Sequence, residues 1–396
     1  VLTSWDSLVN GRSGITKVTR FDASRFKTQI AGEVKNFDFS PYMSEKEARR
    51  LDLFCHYAIA ASDEAITMAG ISKDLSGLNP EKVGVLVGSG IGGLRTLEDQ
   101  SRLLFERGPE KISPLLIPMM IGDMASGSIS MRYGAKGPNF GIVTACATAC
   151  HSIGEASWII KRGDADVMIC GGAEATIVPI GFAGFCSMKA MSTRNDEPEK
   201  ASRPFDANRD GFVMSEGAGV LILEDYEHAK RRGAAIIAEL VGYGATSDAY
   251  HITSPSPDGS GAANAIKMAL KHAGLKPEDI SYINAHGTST PLNDKYETMS
   301  IKTVFGDYAR KISISSTKGT MGHSLGAAGG IETIVCAMAI KTGIIPPTIN
   351  YETPDPDCDL DYTPNQPREK KVFAAINVNL GFGGHNAAII LKKLDN

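Results

Sequence analysis

Cys146 lies where an apolar segment gives way to a helical pattern, within the sequence TACATACH at residues 144–151. A cysteine at the start of a helix meets unpaired backbone N–H groups and the positive end of the helix dipole, which favour the thiolate. A sharp turn from strand to helix also projects its side chain into a cleft, as nucleophile elbows do. Most cysteines in apolar surroundings are inert, so the prediction that Cys146 is a nucleophile depends on this position.

Two histidines lie in loops rich in glycine and threonine: His286 in NAHGTST at residues 284–290, and His323 in KGTMGHSLG at residues 318–326. Small neighbours let a ligand approach the backbone closely. A cysteine hydrolase needs one base for its thiol and later a water, whereas two neutral histidines suit a carbonyl oxygen that becomes an enolate. Together with Cys146, they predict a thiol-dependent enzyme that forms carbon–carbon bonds. Glu332, nine residues after His323, could anchor Lys318 or His323.

The elements that must position these residues alternate along the chain. Buried-strand patterns occupy residues 83–87, 140–144, 166–170, 280–284, 312–315 and 372–379, and amphipathic helix patterns occupy 48–69, 147–161, 261–273, 294–305 and 326–341. This alternation predicts an α/β fold with mostly parallel sheets.

The chain also contains a weak internal repeat. A strand that runs into residues 144–146 and a later strand that opens into glycines 171–172 are matched by residues 316–318 and 381–384. Because 396 residues exceed the usual size of one core, we expect two similar halves. Residues 1–235 would carry the nucleophile and residues 236–396 both histidines. The chain begins at Val1 without Met, and we expect that an N-terminal piece is missing before it.

Composition narrows the class of partner. The net charge of -4 gives no electrostatic case for nucleic acid or an anionic membrane, and no apolar stretch reaches about 18 unbroken residues. Seven cysteines in a chain that needs no disulfide staples indicate reduced thiols and a cytoplasmic protein. Cys146, Cys150 and His151 lack a fourth ligand and Cys-x-x-Cys spacing, so we predict no metal.

The glycine-rich sequence GSGIGG at residues 88–93 matches the pattern of a dinucleotide site. Such a site needs an acidic residue at the end of a second strand about 20 residues on, where this chain has a turn at residues 111–114. We therefore expect these glycines to serve close backbone packing.

Taken together, eight motifs resemble those of the β-ketoacyl-[acyl-carrier-protein] synthases of the thiolase superfamily, most closely the synthase II group of bacterial type II fatty acid synthesis. The resemblance covers essentially the whole chain from its first helix onward, and it implies that the family's opening strand is missing before Val1. The motifs are GSGIGG at 88–93, TAC at 144–146, SRPFD at 202–206, RDGFV at 209–213, NAHGTST at 284–290, STK at 316–318, GH at 322–323 and GFGG at 381–384.

The resemblance implies a thiolase-like duplicated fold of α-β-α-β-α layers and an acyltransferase of the fatty acid pathway. Cys146 would take an acyl group from acyl carrier protein, and His286 and His323 would bind the thioester oxygen of malonyl-ACP while carbon dioxide leaves. The product would be a 3-oxoacyl-ACP. The backbone N–H groups of Cys146 and Phe382 would form the oxyanion hole, with Lys318 as a further catalytic residue.

The resemblance also implies supporting and binding residues. Glu332 and Asp294 would support the catalytic side chains from behind. Substrate-binding positions would be Ile91, Phe185, Asp248, Thr253, Thr288 and Thr290. No cofactor is implied beyond the phosphopantetheine that arrives on the acyl carrier protein, and the family forms homodimers.

Before GFGG the family pattern reads Asn-Ser-Phe, whereas this chain has Val378, Asn379 and Leu380, so that Asn379 stands for the serine and Leu380 for the phenylalanine. Three other classes of protein share part of this pattern. A thiolase needs a second cysteine in the loop at residues 381–386, which has none. A polyketide ketosynthase would share the same catalytic set and stays open. A lipid-binding scaffold without enzymatic activity would need neither paired histidines nor Lys318.

Overall fold

The computed structural model describes residues 1–394, and all the elements below lie within them. The helices are α1 (Leu2–Val9), α2 (Glu45–Ala48), α3 (Leu53–Met68), α4 (Leu94–Arg107), α5 (Leu116–Met120), α6 (Met124–Tyr133), α7 (Thr148–Lys161), α8 (Pro179–Ser187), α9 (Tyr226–Arg231), α10 (Ser260–Ala273), α11 (Pro291–Phe305), α12 (Lys318–Met321) and α13 (Ala328–Thr342). The strands are β1 (Thr16–Lys17), β2 (Ile30–Ala31), β3 (Val83–Gly88), β4 (Val167–Glu174), β5 (Gly217–Glu224), β6 (Glu239–Ser247), β7 (Ile280–Asn284), β8 (Ser313–Ser315), β9 (Ile344–Ile345), β10 (Arg368–Glu369), β11 (Ala374–Gly381) and β12 (His385–Lys392).

Two sheets dominate the fold. The first has the order β3–β4–β5, with β3 parallel to β4 and β5 antiparallel to β4. The second has the order β6–β12–β11–β7–β8, with β7 parallel to both β8 and β11 and with β12 antiparallel to β11 and β6. Each half therefore joins a parallel pair to an antiparallel one, which confirms an α/β fold with two similar halves.

The expectation of mostly parallel sheets is wrong, because both sheets are mixed. In the second half, β11 ends opposite the start of β12, with Gly381 paired to His385. A connection of three residues can only return the chain antiparallel, since a parallel partner needs a crossover of a dozen residues or more.

Helices cover both faces of each sheet. Helices α3 and α6 pack on the first sheet, α10 packs on the second, and α7 and α13 lie between the two sheets. This gives the five layers α-β-α-β-α. Strand β3, with the sequence VGVLVG, is buried at every position because helices lie on both of its sides. A sheet covered on both faces needs such a continuous apolar run rather than an alternating one.

The two helices of the middle layer begin in the same way. Helix α7 follows a 3₁₀ turn at Ala145–Ala147, and α13 follows one at Leu325–Ala327. Each turn opens on a residue other than glycine in the left-handed region, Ala145 with φ 49° and Leu325 with φ 47°. The structural counterpart of the cysteine turn is therefore Leu325–Ala327, and not residues 316–318 as the sequence echo suggested.

The segment 140–144, predicted as a strand, belongs to neither sheet. Next to it, Asn139 makes an isolated parallel bridge to Val85. Phe140 is 46% exposed and Val143 is 60% exposed. The apolar pattern predicts a buried strand, but within residues 1–394 no other part of this chain covers the outward-facing side chains of the segment.

One stretch, Leu325–Thr342, has the length and hydropathy that a membrane span requires. It includes α13, and 78% of it is buried inside the fold, as is usual for a core helix.

The first turns of α7 and α13 approach each other closely. A Cβ added to Gly329 would lie 2.7 Å from the backbone nitrogen of Cys150, and one added to Gly330 would lie 2.2 Å from the carbonyl oxygen of Gly219. Backbone atoms cannot give way as a flexible side chain can. These two glycines therefore set the distance between the two halves.

We predict that Gly329→Ala destabilises the protein by about 1–3 kcal/mol, because the methyl group must push the two helices apart. The measurement is urea unfolding. Gly127→Ala is the matched control, since that glycine lies within α6 and an added Cβ would only reach Met124 Sδ at 3.9 Å. The control should be neutral or stabilising by up to about 1 kcal/mol. Equal midpoints for the two variants would contradict the close contact.

Candidate active site

Cys146 occupies the 3₁₀ turn that leads into α7, and only 8% of it is exposed. The strained residue Ala145 precedes it. Thr148 secures the turn, because its Oγ1 accepts from the backbone N–H of Thr144 at 2.9 Å and donates to the carbonyl of Ala145 at 2.7 Å. The sharp turn expected from the sequence is therefore present, and it is held by hydrogen bonds rather than by glycine.

The two histidines come from different elements of the second half. His286 follows β7, and His323 follows α12. Their ring centroids lie 5.2 Å apart with the rings nearly perpendicular at 88°. The backbone N–H of His323 donates to the carbonyl of Val213 at 2.7 Å, which ties the second half to the loop before β5.

A buried ion pair lies behind His286. Lys318 and Glu332 are each 1% exposed, and the Lys318 ammonium is hydrogen-bonded to the Glu332 carboxylate. Lys318 Nζ is also 3.5 Å from His286 Nδ1. Since an ammonium group can only donate, His286 Nδ1 must accept, and the ring proton then resides on Nε2. The pair thus fixes one tautomer of His286.

Both histidines are neutral. Burial, followed by the positive charge of Lys318, lowers the pKa of His286 and that of His323 well below the ordinary value. Burial also raises the pKa of Glu332, although Lys318 opposes this shift. A neutral imidazole can donate one hydrogen bond to an oxygen that gains negative charge, without carrying a charge that the apolar site would have to desolvate.

The thiol differs from the expectation of a stabilised thiolate. Burial raises the pKa of Cys146 to about 12, although the charge of Lys318 lowers it in part. Desolvation of the anion therefore outweighs the effect of the helix start, and the prediction of a stabilised thiolate is wrong because the sequence does not show how deeply the thiol is buried. The resting group is a neutral thiol.

One cavity of about 390 Å³ brings most of the predicted site residues together. Its lining includes Ile91, Cys146, Phe185, Asp248, Thr253, His286, Thr288, Thr290, His323 and Phe382. Lys318, Glu332 and Asp294 are not part of this lining. A Cβ added to Gly381, next to Phe382, would lie 3.3 Å from the backbone nitrogen of Cys146, so the GFGG turn packs directly on the cysteine turn.

Asp294 does not contact the histidines. It accepts from the backbone N–H of Phe205 at 2.7 Å, and it lies 3.7 Å from the guanidinium of Arg209. Glu297, one turn further along α11, accepts from the backbone N–H of His286 at 2.7 Å and from that of Gly287 at 2.8 Å. Glu297 is not among the residues predicted from the sequence, although its helical spacing from Asp294 is a signal that could have indicated it.

The two residues that depart from the family pattern have different surroundings. Asn379 is fully buried, and its Nδ2 donates to Glu332 Oε2 at 2.8 Å. It therefore holds the carboxylate that pairs with Lys318. Leu380 lines the cavity beside Phe382, where the family has a phenylalanine.

Metal ligands are not grouped in the part of the chain that the structure describes. No set of three or more His, Cys, Asp or Glu side chains among residues 1–394 could hold a metal ion.

The chain belongs to the β-ketoacyl synthase family. Residues 1–229 match the family model "Beta-ketoacyl synthase, N-terminal domain", and residues 237–352 match "Beta-ketoacyl synthase, C-terminal domain". The chain is 54% identical over 389 residues to 3-oxoacyl-[acyl-carrier-protein] synthase 2 of Synechocystis sp., covering 98% of this chain and 93% of that protein. It is 49% identical over 395 residues to the protein of the same name from Staphylococcus aureus, covering 100% and 95%.

Solved structures of ketosynthases share the fold. One is a ketosynthase of a type II polyketide system in complex with its acyl-carrier protein, with a TM-score of 0.91 and 36% identity over 99% of this chain and 94% of that one. Another is a β-ketoacyl synthase from Burkholderia phymatum, with a TM-score of 0.92 and 34% identity over 98% and 94%. The fold is therefore thiolase-like, as the resemblance implied.

We predict that alkylation of Cys146 by iodoacetamide accelerates about tenfold per pH unit between pH 7 and 9.5, without a plateau. The raised pKa leaves only a small thiolate fraction over this whole range, and the fraction grows with each step in pH. Mass spectrometry of the Cys146 peptide measures the rate, and Cys146→Ala accounts for the other thiols. A plateau below pH 8 would instead indicate a stabilised thiolate.

Proposed function

We propose that this chain condenses an acyl group held on Cys146 with malonyl-ACP, with loss of carbon dioxide, to give 3-oxoacyl-ACP during fatty acid elongation. The observation that carries the proposal is a buried thiol that shares one cavity with two neutral histidines, in a chain of the β-ketoacyl synthase family. The relatives at 54% and 49% identity carry names that state the same reaction class.

In the first half-reaction, the Cys146 sulfur attacks the thioester carbonyl of acyl-ACP. A tetrahedral oxyanion forms, and the backbone N–H groups of Cys146 and Phe382 stabilise it; the contact between the Gly381 turn and the Cys146 nitrogen supports this pairing. The bond to the phosphopantetheine sulfur then breaks. The thiol proton passes to that leaving sulfur, so neutral thiol and thioester exchange without net charge.

In the second half-reaction, malonyl-ACP enters with its pantetheine arm beside Thr288 and Thr290. The bond to the carboxylate carbon breaks, carbon dioxide leaves, and the electron pair moves onto the thioester oxygen as an enolate. His286 and His323 donate to that oxygen from neutral rings. The enolate carbon then attacks the acyl thioester, and Cys146 leaves as a thiolate and takes up a proton.

The partner follows from the same chemistry. We propose acyl carrier protein as the donor of both groups, supported by the names of the relatives and by a structural neighbour solved with its acyl-carrier protein. The phosphopantetheine belongs to that partner, and we propose no other cofactor. Fatty acid elongation is favoured over polyketide synthesis because the relatives named 3-oxoacyl-ACP synthase 2 are more similar in sequence than the polyketide ketosynthase.

We also propose a homodimer in a reducing, cytoplasmic compartment, with residues 1–235 and 236–396 as its two structural halves. The exposed apolar segment at 140–143, with Phe140 46% and Val143 60% exposed, lies at the edge of the first sheet and suits a second copy. All seven cysteines are free thiols, which fits a reducing environment.

Intact-mass measurement after mixing with acyl-ACP tests the proposal. We expect one acyl adduct that disappears in Cys146→Ala and turns over only when malonyl-ACP is added. Cys186→Ala is the matched control, because that cysteine is only partly buried and packs near the same cluster without lining the cavity. The absence of an adduct, or an adduct that persists in Cys146→Ala, would sink the proposal.

Replacement of a histidine separates the two half-reactions. His323→Ala should still acquire the acyl group on Cys146 but should release carbon dioxide from malonyl-ACP about 10²–10³ times more slowly, since one donor to the enolate oxygen is lost. Labelled malonyl-ACP measures the release. Normal decarboxylation in this variant would remove His323 from the mechanism.

A further inference from the structure

Glu174 is a buried carboxylate that the mechanism above does not use. It ends β4, and none of its surface is exposed. A carboxylate rarely occupies such a place unless its oxygens are fully hydrogen-bonded, because the loss of hydration is costly.

The Glu174 carboxylate accepts hydrogen bonds from two separate segments. Ser89 Oγ donates to Oε1 at 2.9 Å and the backbone N–H of Ile91 does so at 3.3 Å. The backbone N–H of Gly90 donates to Oε2 at 2.9 Å, and that of Gly326 does so at 3.0 Å. Three donors come from the turn at 89–91 in the first half, and the fourth comes from the turn that leads into α13 in the second.

These two segments lie against the 3₁₀ turn Ala145–Ala147 that carries Cys146. A Cβ added to Gly90 would lie 3.2 Å from the carbonyl oxygen of Ala145 and 3.3 Å from the nitrogen of Gly326. The backbone of Gly90 thus packs directly on the strained residue before Cys146. Ile91, the next residue, forms part of the cavity wall.

All four partners of Glu174 are donors, so only a group with two acceptor oxygens satisfies them. A glutamine of the same length would turn an NH₂ group toward at least one N–H. Burial raises the pKa of Glu174 to about 7, and the hydrogen bonds oppose that shift. Glu174 also raises the pKa of the Cys146 thiol, as Glu332 does, whereas Lys318 lowers it.

From this arrangement we propose that Glu174 is a positioning residue which fixes the wall at Gly90 and Ile91 against the Cys146 turn, and thereby sets which acyl groups Cys146 accepts. The inference rests on the proposed acyl transfer, and it adds that one buried carboxylate holds the cavity wall at Gly90 and Ile91 in place. Without the hydrogen bonds of Glu174 this wall can move, so acyl groups of different length are distinguished less well. Displacements of about 1 Å at a reacting centre can cost on the order of 100-fold in rate.

The first test measures kcat/KM for acylation of Cys146 by a series of acyl-ACPs of increasing chain length. In Glu174→Gln, we expect the ratio between the best and the poorest acyl group to fall at least about threefold, with a lower rate for the best substrate. Asp63→Asn is the matched control, because Asp63 is another buried carboxylate, bonded by Lys73, Arg132 and Tyr133 on the outer face of the first sheet. The control should lose thermal stability and keep the wild-type ratio.

Ser89→Ala serves as a second variant if Glu174→Gln does not fold. It removes one donor and retains the carboxylate, so we expect a smaller change of the ratio in the same direction. A wild-type ratio in a folded Glu174→Gln or Ser89→Ala protein would overturn the inference.

The second test needs no acyl-ACP. At pH 8.5, where Glu174 carries its charge, iodoacetamide should alkylate Cys146 at least about threefold faster in Glu174→Gln, because loss of the negative charge lowers the pKa of the thiol. A factor of about three corresponds to half a pKa unit. This shift reports how close the Glu174 carboxylate lies to the Cys146 thiol, and an unchanged rate would contradict the packing on which the inference rests. If the wild-type protein forms no acyl adduct, the proposed function fails, whereas this measurement still decides whether Glu174 acts on the nucleophile.

Discussion

The contact between the first turns of α7 and α13 is the constraint on which the site depends. Each helix lies between the two sheets, and each follows a 3₁₀ turn whose first residue is in the left-handed region. Gly329 permits the approach, because any side chain there would collide with backbone at Cys150. Helices that meet at their first turns bring together whatever precedes them. Cys146 precedes one helix and His323 precedes the other, so the two halves must pack closely for the site to form.

That position between two sheets also determines the electrostatics. The thiol and both imidazoles lie deep enough that burial is the largest influence on each pKa, and every one of the three shifts toward the neutral form. Lys318 and Glu332 form an ion pair behind His286, where each group compensates the other. An isolated buried charge costs several kcal/mol, so the ion pair can persist only because both partners and their hydrogen bonds are present. The thiol and the two imidazoles, where bonds change, are therefore neutral, and the charged groups act on them from behind.

The sequence allowed the chemistry to be predicted further than the geometry. Short motifs predicted the thiol and the two histidines from their positions at strand ends and among glycines and threonines, and the family resemblance added Lys318. The sequence does not show how deeply a side chain is buried, and so the prediction of a thiolate at Cys146 was wrong. The prediction of a buried strand at 140–144 was wrong because the sequence pattern shows that side chains are apolar but does not show whether the same chain covers them. Asp294 and Glu297 share a helix and a charge, and only the packing of α11 decides which of them reaches His286.

Asn379 shows how a departure from the family pattern can be accommodated in such a site. Its Nδ2 bonds the carboxylate of Glu332, and it lies on β11 three residues before Phe382. The strand that ends in the GFGG turn is therefore fastened to the same ion pair that orients His286. The buried Glu332 carboxylate is thereby hydrogen-bonded at both oxygens, by Lys318 at one and by Asn379 at the other. Leu380, the next residue, lines the cavity together with Phe382, and its side chain is smaller than the phenylalanine of the family pattern.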